Sequence, residues 1–347
     1  MAARRVQSFF SAPGKVFLLG EYAVLAGAPA ILAALGPRFE LRAREAASSD
    51  LAESAGIAHP FAPASPAGRL IAVARERGVR GWELDWTDPL AGQGGFGAST
   101  AQFALTYLAL APAAGWSSDW TSAWRLYREL ASGEPLAPSG ADLAIQLQGG
   151  VGAFSASAFD PTLTTIRNLP AQPWLVFSAT GIPGRKTATH DHLASLAAAD
   201  FRDPLTPRLR SLSRIAELAL DSIRRGQLAE FASALNVYGD ALADLGLEHP
   251  STSRERAAIR ALPGVWAAKG AGAMQSDTMV VCVDPEWRDA AAEIIACAES
   301  FGLRLASSGL PFVAGAREDV GTESVSSATA SSGSAQPGPV REASVHG

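Results

Sequence analysis

The sequence predicts an α+β fold of two lobes with a small-ligand site in the cleft between them. Two observations carry that prediction. The chain has 347 residues, about two domains' worth. Its elements read as strands then helices, twice over, and a cleft between two such lobes is where small-ligand sites usually form. Hydrophobic residues make up 48% and charged residues 18%, which suits a folded body. The first lobe is expected over 1–170 and the second over 171–317, with the boundary near 165–175. Residues 318–347 are Ser/Ala/Gly/Pro-rich without a large apolar cluster and are expected to be a disordered tail.

The elements follow in order. Residues 9–20, FFSAPGKVFLLG, read as a turn at Pro13-Gly14 and then a strand over the apolar run 16–19. Residues 22–36 read as loop with a short helix or strand, and the Ala/Ser/Pro-rich 46–68 as loop. A helix is expected over 69–77 and a strand over 81–86. AGQGGFGAST is a glycine-rich turn, and AQFALTYLALA after it is a helix by composition and length. Residues 119–132 form a second helix, whose Trp120, Trp124, Tyr127 and Leu130 recur at core spacing. The loop PLAPSG leads into ADLAIQLQ. Residues 151–158 and 163–169 read as hairpin strands, and WLVFSAT at 174–180 as the strand that opens the second half. Helical patterns fill 206–225 and 227–245. A strand near 265–268, the run KGAGAMQSD, the strand MVVCVD and a helix over 286–301 complete the body.

Several classes are excluded. A net charge of −5 argues against a general binder of phosphate backbones, which needs a basic face. Two cysteines, Cys282 and Cys297, exclude a disulfide framework and a thiolate-rich zinc site, and they suit a reducing compartment. The most apolar N-terminal stretch, 16–35, contains Gly20, Glu21, Gly27 and Pro29, so it reads neither as a membrane span nor as a signal sequence. Among 29 Lys and Arg residues only Lys15, Lys186 and Lys269 are lysine. Where a surface merely needs charge this chain uses Arg, so each Lys is a candidate for a site that needs a compact ammonium.

Five stretches carry chemistry. Residues 92–100, GQGGFGAST, run straight into a helix, so glycine backbone and the unpaired N–H groups of a helix start can cradle a phosphate. The bland alternative is a glycine loop with Ser99 as helix cap. No Walker Gly-Lys-Ser/Thr is present. SAPGK at 11–15 places Lys15 at the start of an apolar strand and Glu21 just past its end. PSGADLA at 138–144 puts Asp142 at the start of an element, either as a cap or as a carboxylate facing Lys15. TGIPGRKTATH at 180–190 gathers two cations and several hydroxyls suited to an anion. His190 and His192, two apart, point different ways on a helix and do not read as a metal pair. KGAGA at 269–273 is a further close-approach loop, followed by an acid at Asp277.

Together, in this order, these stretches resemble the GHMP kinase superfamily of small-molecule kinases over about residues 8–316. SAPGKVFLLGEYAVL matches the family's first motif, AGQGGFGASTA its ATP loop, and KGAGAMQSD its C-terminal glycine-rich motif. Within the superfamily the mevalonate-pathway kinases look most similar. GEYAVL, SGADLA and the Thr180-Gly181…Lys186-Thr187…Thr189-His190 stretch look like phosphomevalonate kinases. Mevalonate kinases carry GEH and an Asn where this chain has Leu143. The chain departs from the family at Ala91 for Pro, at Phe96 for Leu, at Ala98 and Thr100 around a single Ser99, and at Met274-Gln275-Ser276, where glycines are usual. Side chains at 274–276 are expected to narrow the phosphate approach.

The resemblance implies a two-lobed GHMP kinase that uses ATP and Mg²⁺ to phosphorylate mevalonate 5-phosphate. The alternatives are phosphorylation of the mevalonate 5-hydroxyl, or a non-catalytic nucleotide or metabolite sensor on the same scaffold. It implies a cytoplasmic monomer or homodimer with a small-molecule substrate and neither nucleic-acid nor membrane partners. Carried onto this chain, Lys15 and Asp142 are catalytic. ATP lies along Gly94, Gly95, Phe96, Gly97, Ala98, Ser99 and Thr100. Mg²⁺ is held by Ser99 and by Glu129, the acid on the helix before the Asp142 loop. The acceptor meets Glu21, Tyr22, Ser139, Gly140, Arg185, Lys186, Thr187, Lys269, Gly270 and Gly272.

Overall fold

The structure, a computed structural model, describes residues 7–45, 56–90, 94–131, 137–157, 160–179, 192, 207–287 and 290–319. The first sheet holds β1 (Gln7–Leu19), β2 (Ala30–Glu45), β3 (Ile57–Ala58), β4 (Trp82–Thr87), β5 (Val151–Ala156), β6 (Pro161–Thr165) and β11 (Arg317–Asp319). Its order is β11-β1-β2-β4-β3, with β5 and then β6 added beside β2. The long β2 pairs β4 through Glu40–Glu45 and β5 through Ala30–Ala33, so one strand supports two branches. The second sheet is antiparallel, in the order β10 (Arg304–Ser308), β7 (Trp174–Ser178), β9 (Thr278–Val283), β8 (Val265–Ala271).

Helices α1 (Pro66–Glu76), α2 (Ala98–Ala114), α3 (Trp120–Leu130) and α4 (Ala141–Gln148) accompany the first sheet. Helices α5 (Pro207–Arg224), α6 (Leu228–Asp244), α7 (Pro250–Arg260) and α8 (Ala290–Ser300) accompany the second. Their starts have local causes. Ser65 accepts the Gly68 N–H ahead of α1, with Pro66 at the first helical position, and Asp119 accepts the Ser122 N–H ahead of α3. Trp124 and Tyr127 of α3 are buried, as their spacing predicts.

Strand β2 explains why its sequence is continuously apolar. Ile31, Ala33 and Leu35 enter one buried cluster, while Ala30, Leu32 and Ala34 enter another with Phe103, Tyr107 and Leu143. A strand buried on both faces has no polar alternation to display. The first of these clusters runs on to Trp174 and Leu235, so the two lobes share a core.

Several expectations are corrected. Pro13-Gly14 is no turn: both lie inside β1, where a register shift against β2 absorbs them. Residues 30–45 are one strand, and α1 starts at Pro66, inside the expected loop. Lys269 and Gly270 belong to β8, which runs on to Ala271. Helix α7 had no expectation. The expected second lobe ends at 317 and the tail begins at 318, but β11 spans that point and lies in the first sheet beside β1. Arg38 fixes this return by donating to Ser11 O at 2.9 Å, Ala314 O at 2.6 Å and Gly315 O at 2.7 Å. Among the described residues no helix is long and apolar enough to cross a membrane.

Candidate active site

The site is built where β1 meets the start of α2. The Lys15 N–H donates to Phe96 O at 3.0 Å, so the lysine strand and the glycine loop are joined through backbone. Gln146 of α4, fully buried, spans the same junction by donating to Pro13 O at 2.9 Å and Gly97 O at 3.1 Å. Gly97 is the N-cap of α2 at φ 84, and a Cβ there would come within 3.0 Å of Lys15 Cγ and Gln146 Nε2. Only glycine fits that backbone and that space. A glycine cap leaves the first turn of α2 without a side-chain partner, so its N–H groups and dipole remain open to an anion.

Helix α3 holds the opposite wall. Trp124 Nε1 donates to Ser139 O at 2.9 Å and Arg128 donates to Pro138 O at 2.6 Å, which fixes the loop that carries Asp142 into the first turn of α4. Burial, and next the Asp142 charge, push the Tyr127 hydroxyl far above its usual range. The third wall joins the lobes. Tyr238 of α6 donates to Glu21 O, and the Met274 N–H donates to the Tyr22 hydroxyl at 3.0 Å. Tyr22 also hydrogen-bonds His192 Nε2 at 3.0 Å. Burial raises the Tyr22 pKa and lowers that of His192.

These walls enclose a cleft of about 420 Å³. Its charged lining groups are Lys15, Glu21, Asp142 and Asp277. Lys15 is 7% exposed, and its ammonium lies 5.1 Å from the Phe17 ring centre with no hydrogen bond or ion pair of its own among the described residues. A nearly buried ammonium that no carboxylate meets in an ion pair is costly and is able to receive an anion. A larger cavity, about 640 Å³, lies between the β5–β6 hairpin and residues 310–312, and Arg167 is the one charged lining residue among those described.

No family model matches the chain. Over 261 residues it is 30% identical to the mevalonate kinase of Aeropyrum pernix, an alignment covering 68% of this chain and 76% of that protein. The chain belongs to the GHMP kinase superfamily, in its mevalonate-pathway branch. It is therefore a phosphotransferase. Solved GHMP kinases share its fold. Streptococcus pneumoniae phosphomevalonate kinase in complex with phosphomevalonate and AMPPNP has a TM-score of 0.66 at 15% identity, covering 91% of this chain and 100% of that one. L. major mevalonate kinase in complex with R-mevalonate has a TM-score of 0.61 at 20% identity, covering 84% and 90%.

Against this GHMP frame the sequence-predicted residues divide. Lys15, Asp142, Glu21, Tyr22, Ser139, Gly94, Gly95, Gly97, Ala98, Ser99, Thr100 and Gly272 all line the cleft. Thr100 does so with its hydroxyl already donated to Gly97 O at 2.9 Å, whereas Ser99 is exposed and its hydroxyl is unbonded among the described residues. Five others do not line it. Phe96 is a core side chain that contributes only its carbonyl. Gly140 packs against Trp124 behind the wall. Glu129 is exposed on α3, about 200° around the helix from the cleft-lining Tyr127. Its place in chain order suggested a ligand, and its helix face removes it from the cleft. Lys269 and Gly270 are buried in β8. Met274, Gln275 and Ser276 do not line the cleft either, and Gln275 and Ser276 are buried. Arg185, Lys186 and Thr187 lie outside the described residues, as does Ala91. Sequence reading missed Gln146, whose signal is a polar residue on the inward side of apolar ADLAIQLQ. It also missed the cleft positions of Tyr127, His192 and Asp277.

Proposed function

We propose that this kinase transfers the γ-phosphoryl group of ATP to the phosphate of mevalonate 5-phosphate, with the first lobe supplying the ATP site. One observation carries the phosphoryl-transfer reading: the unpartnered Lys15 ammonium and the uncapped first turn of α2 line one cleft. In such a transfer the protein mainly positions groups and neutralises charge. The N–H groups of Ala98 and Ser99 take the triphosphate. Lys15 stabilises charge on the oxygens of the group in flight. Asp142 orients Lys15 or takes the acceptor's proton.

Mg²⁺ fits the donor set. The described residues hold no cluster of three or more acids, histidines or cysteines, and Mg²⁺ needs only one or two protein oxygens beside water and phosphate. Ser99, with its unbonded hydroxyl, is the residue that would hold it. When bound, the ion neutralises phosphate charge.

At the acceptor end, Glu21 Oε2 is buried with no hydrogen-bond partner among the described residues, and it accepts from a substrate hydroxyl. Arg185, Lys186 and Thr187 lie outside the described residues, between Ala179 and His192 in the chain. Ala179 donates to Asp277 O at 3.0 Å, and His192 lines the cleft itself. Arg185 and Lys186, assigned to the acceptor by the motif they stand in, would suit a substrate with a carboxylate and a phosphate. A second reading, mevalonate itself, is favoured by the three cleft carboxylates and by the Aeropyrum pernix relative. An alcohol needs a base, whereas a phosphate is already ionised. The test is ADP release from ATP with each acceptor. Turnover with mevalonate 5-phosphate and little with mevalonate is expected. The reverse selects the second reading, and tight ATP binding with no turnover selects a sensor.

A further inference from the structure

Three non-glycine residues among those described have positive φ: Tyr22 (66°), Met274 (52°) and Gln275 (55°). All three lie at one point of the lobe junction, where Met274 N–H meets the Tyr22 hydroxyl. Left-handed backbone disfavours residues with a Cβ and persists only where the surroundings over-determine it. What it secures here is a buried side chain. Gln275 is fully buried, and its Oε1 accepts from Lys269 Nζ at 2.9 Å. Thr252 holds the same residue by donating to Gln275 O at 3.1 Å.

Lys269 itself is 1% exposed. Its ammonium has three protons to place, and it donates to Gln275 Oε1, to Gly270 O at 2.6 Å and to Glu21 Oε1 at 2.7 Å. Nothing is left for a ligand. Glu21 is the only one of these three acceptors that lines the cleft. One carboxylate oxygen is therefore fixed by a lysine from the other lobe. The second is buried and unpartnered among the described residues.

We infer that Lys269, held by the strained Gln275, is a positioning residue: it fixes the Glu21 carboxylate across the lobe junction so that Oε2 is presented to a hydroxyl of the acceptor. This rests on the assignment of Glu21 to the acceptor end of the cleft. A compact ammonium suits the position, because its three acceptors come from a carboxylate, a carbonyl and an amide in different directions, which a planar guanidinium cannot meet.

The test is steady-state kinetics with ATP and acceptor varied separately, using whichever of mevalonate 5-phosphate and mevalonate turns over. Glu21→Gln and Lys269→Gln should each raise the acceptor KM about tenfold and leave the ATP KM within about twofold. In the Glu21→Gln background, Lys269→Gln should add less than about twofold, since it acts only through Glu21. Gln275→Gly relieves the backbone strain and removes one acceptor of the buried Lys269 ammonium, a change expected to cost some stability and to leave a folded protein. It should nevertheless raise the acceptor KM about threefold, which a purely structural role for Gln275 does not predict. That variant carries the test if Lys269→Gln does not fold. Equal rises in both KM values, full additivity with Glu21→Gln, or an unchanged acceptor KM in Gln275→Gly overturns the positioning role. An unchanged acceptor KM in Glu21→Gln overturns the Glu21 assignment and the inference together.

Discussion

Two lysines on two strands are buried to a similar degree and are set up for opposite work. Lys15 on β1 is 7% exposed and Lys269 on β8 is 1% exposed. Lys269 has placed all three protons, whereas Lys15 has placed none of its ammonium protons among the described residues. Burial lowers the Lys269 pKa, and the Glu21 charge opposes that shift. The difference shows that burial alone does not identify a working cation in a cleft. The count of unfilled donors separates the two, because a buried ammonium without acceptors is costly until an anion meets it. Glu21 repeats the pattern with the opposite sign: one oxygen is filled by Lys269 and the other is buried without a partner among the described residues.

The largest expected effect breaks the contrast from the Lys15 side. Lys15→Ala should lower kcat by roughly 10²–10³-fold, the range for removal of one group that stabilises transition-state charge. ATP affinity, measured by calorimetry on the variant, should change little, because the first turn of α2 remains. Lost ATP affinity with normal turnover per bound complex would place Lys15 in ground-state binding instead.

The next effect acts on stability from the Lys269 side. Lys269→Met leaves the Glu21 carboxylate buried beside an apolar side chain, a change expected to cost about 3–5 kcal/mol. Adding Glu21→Gln removes the stranded charge and should recover much of that loss. Chemical denaturation of the two variants beside the parent measures both numbers. A double variant no more stable than Lys269→Met would mean that the pair is uncoupled. The same substitution at Lys15 should cost far less, since no partner is stranded.

This contrast also separates what could be read in the sequence from what could not. The stretches at 94–100 and 138–142 were legible because each is short and its backbone demands are written in glycine, whereas at 11–15 the lysine was legible and the backbone was not, since Pro13-Gly14 lies inside β1 rather than in a turn. The structure brings Lys15, Ser99 and Asp142 to one cleft. The helices from 98 to 130 were legible from composition and aromatic spacing. The direction of a side chain was not. Lys269 sits in a glycine-rich motif like any phosphate-binding lysine, and only the fold shows Glu21, Gly270 O and Gln275 around it. Glu129 stands at a plausible distance in chain order, yet a two-residue offset from Tyr127 turns it to solvent. β11 was lost for a different reason. Three residues with no apolar pattern become a strand only because Arg38 ties the preceding backbone to the first sheet and β1 offers an edge.

The smallest expected effect concerns His192, a cleft group between the two extremes because it is partly partnered. Its Nε2 meets the Tyr22 hydroxyl at 3.0 Å, and the Tyr22 oxygen already accepts from the Met274 N–H. A neutral imidazole that receives the Tyr22 proton completes this arrangement. Burial agrees, holding the imidazole pKa below its ordinary 6.5. The sign follows from proton counting. Above pH 6.5 the ring is neutral in both folded and unfolded chains, and the linkage is silent. As pH falls through 6.5 the unfolded chain takes up a proton first, so stability declines until the folded pKa is reached. The ring is half-buried, so the loss should stay under about 1 kcal/mol. Melting temperatures from pH 7.5 to 5 should show this decline in the parent and a flatter course in His192→Gln. If both chains decline alike, the acid sensitivity lies elsewhere and the Tyr22–His192 contact does not depend on a neutral ring.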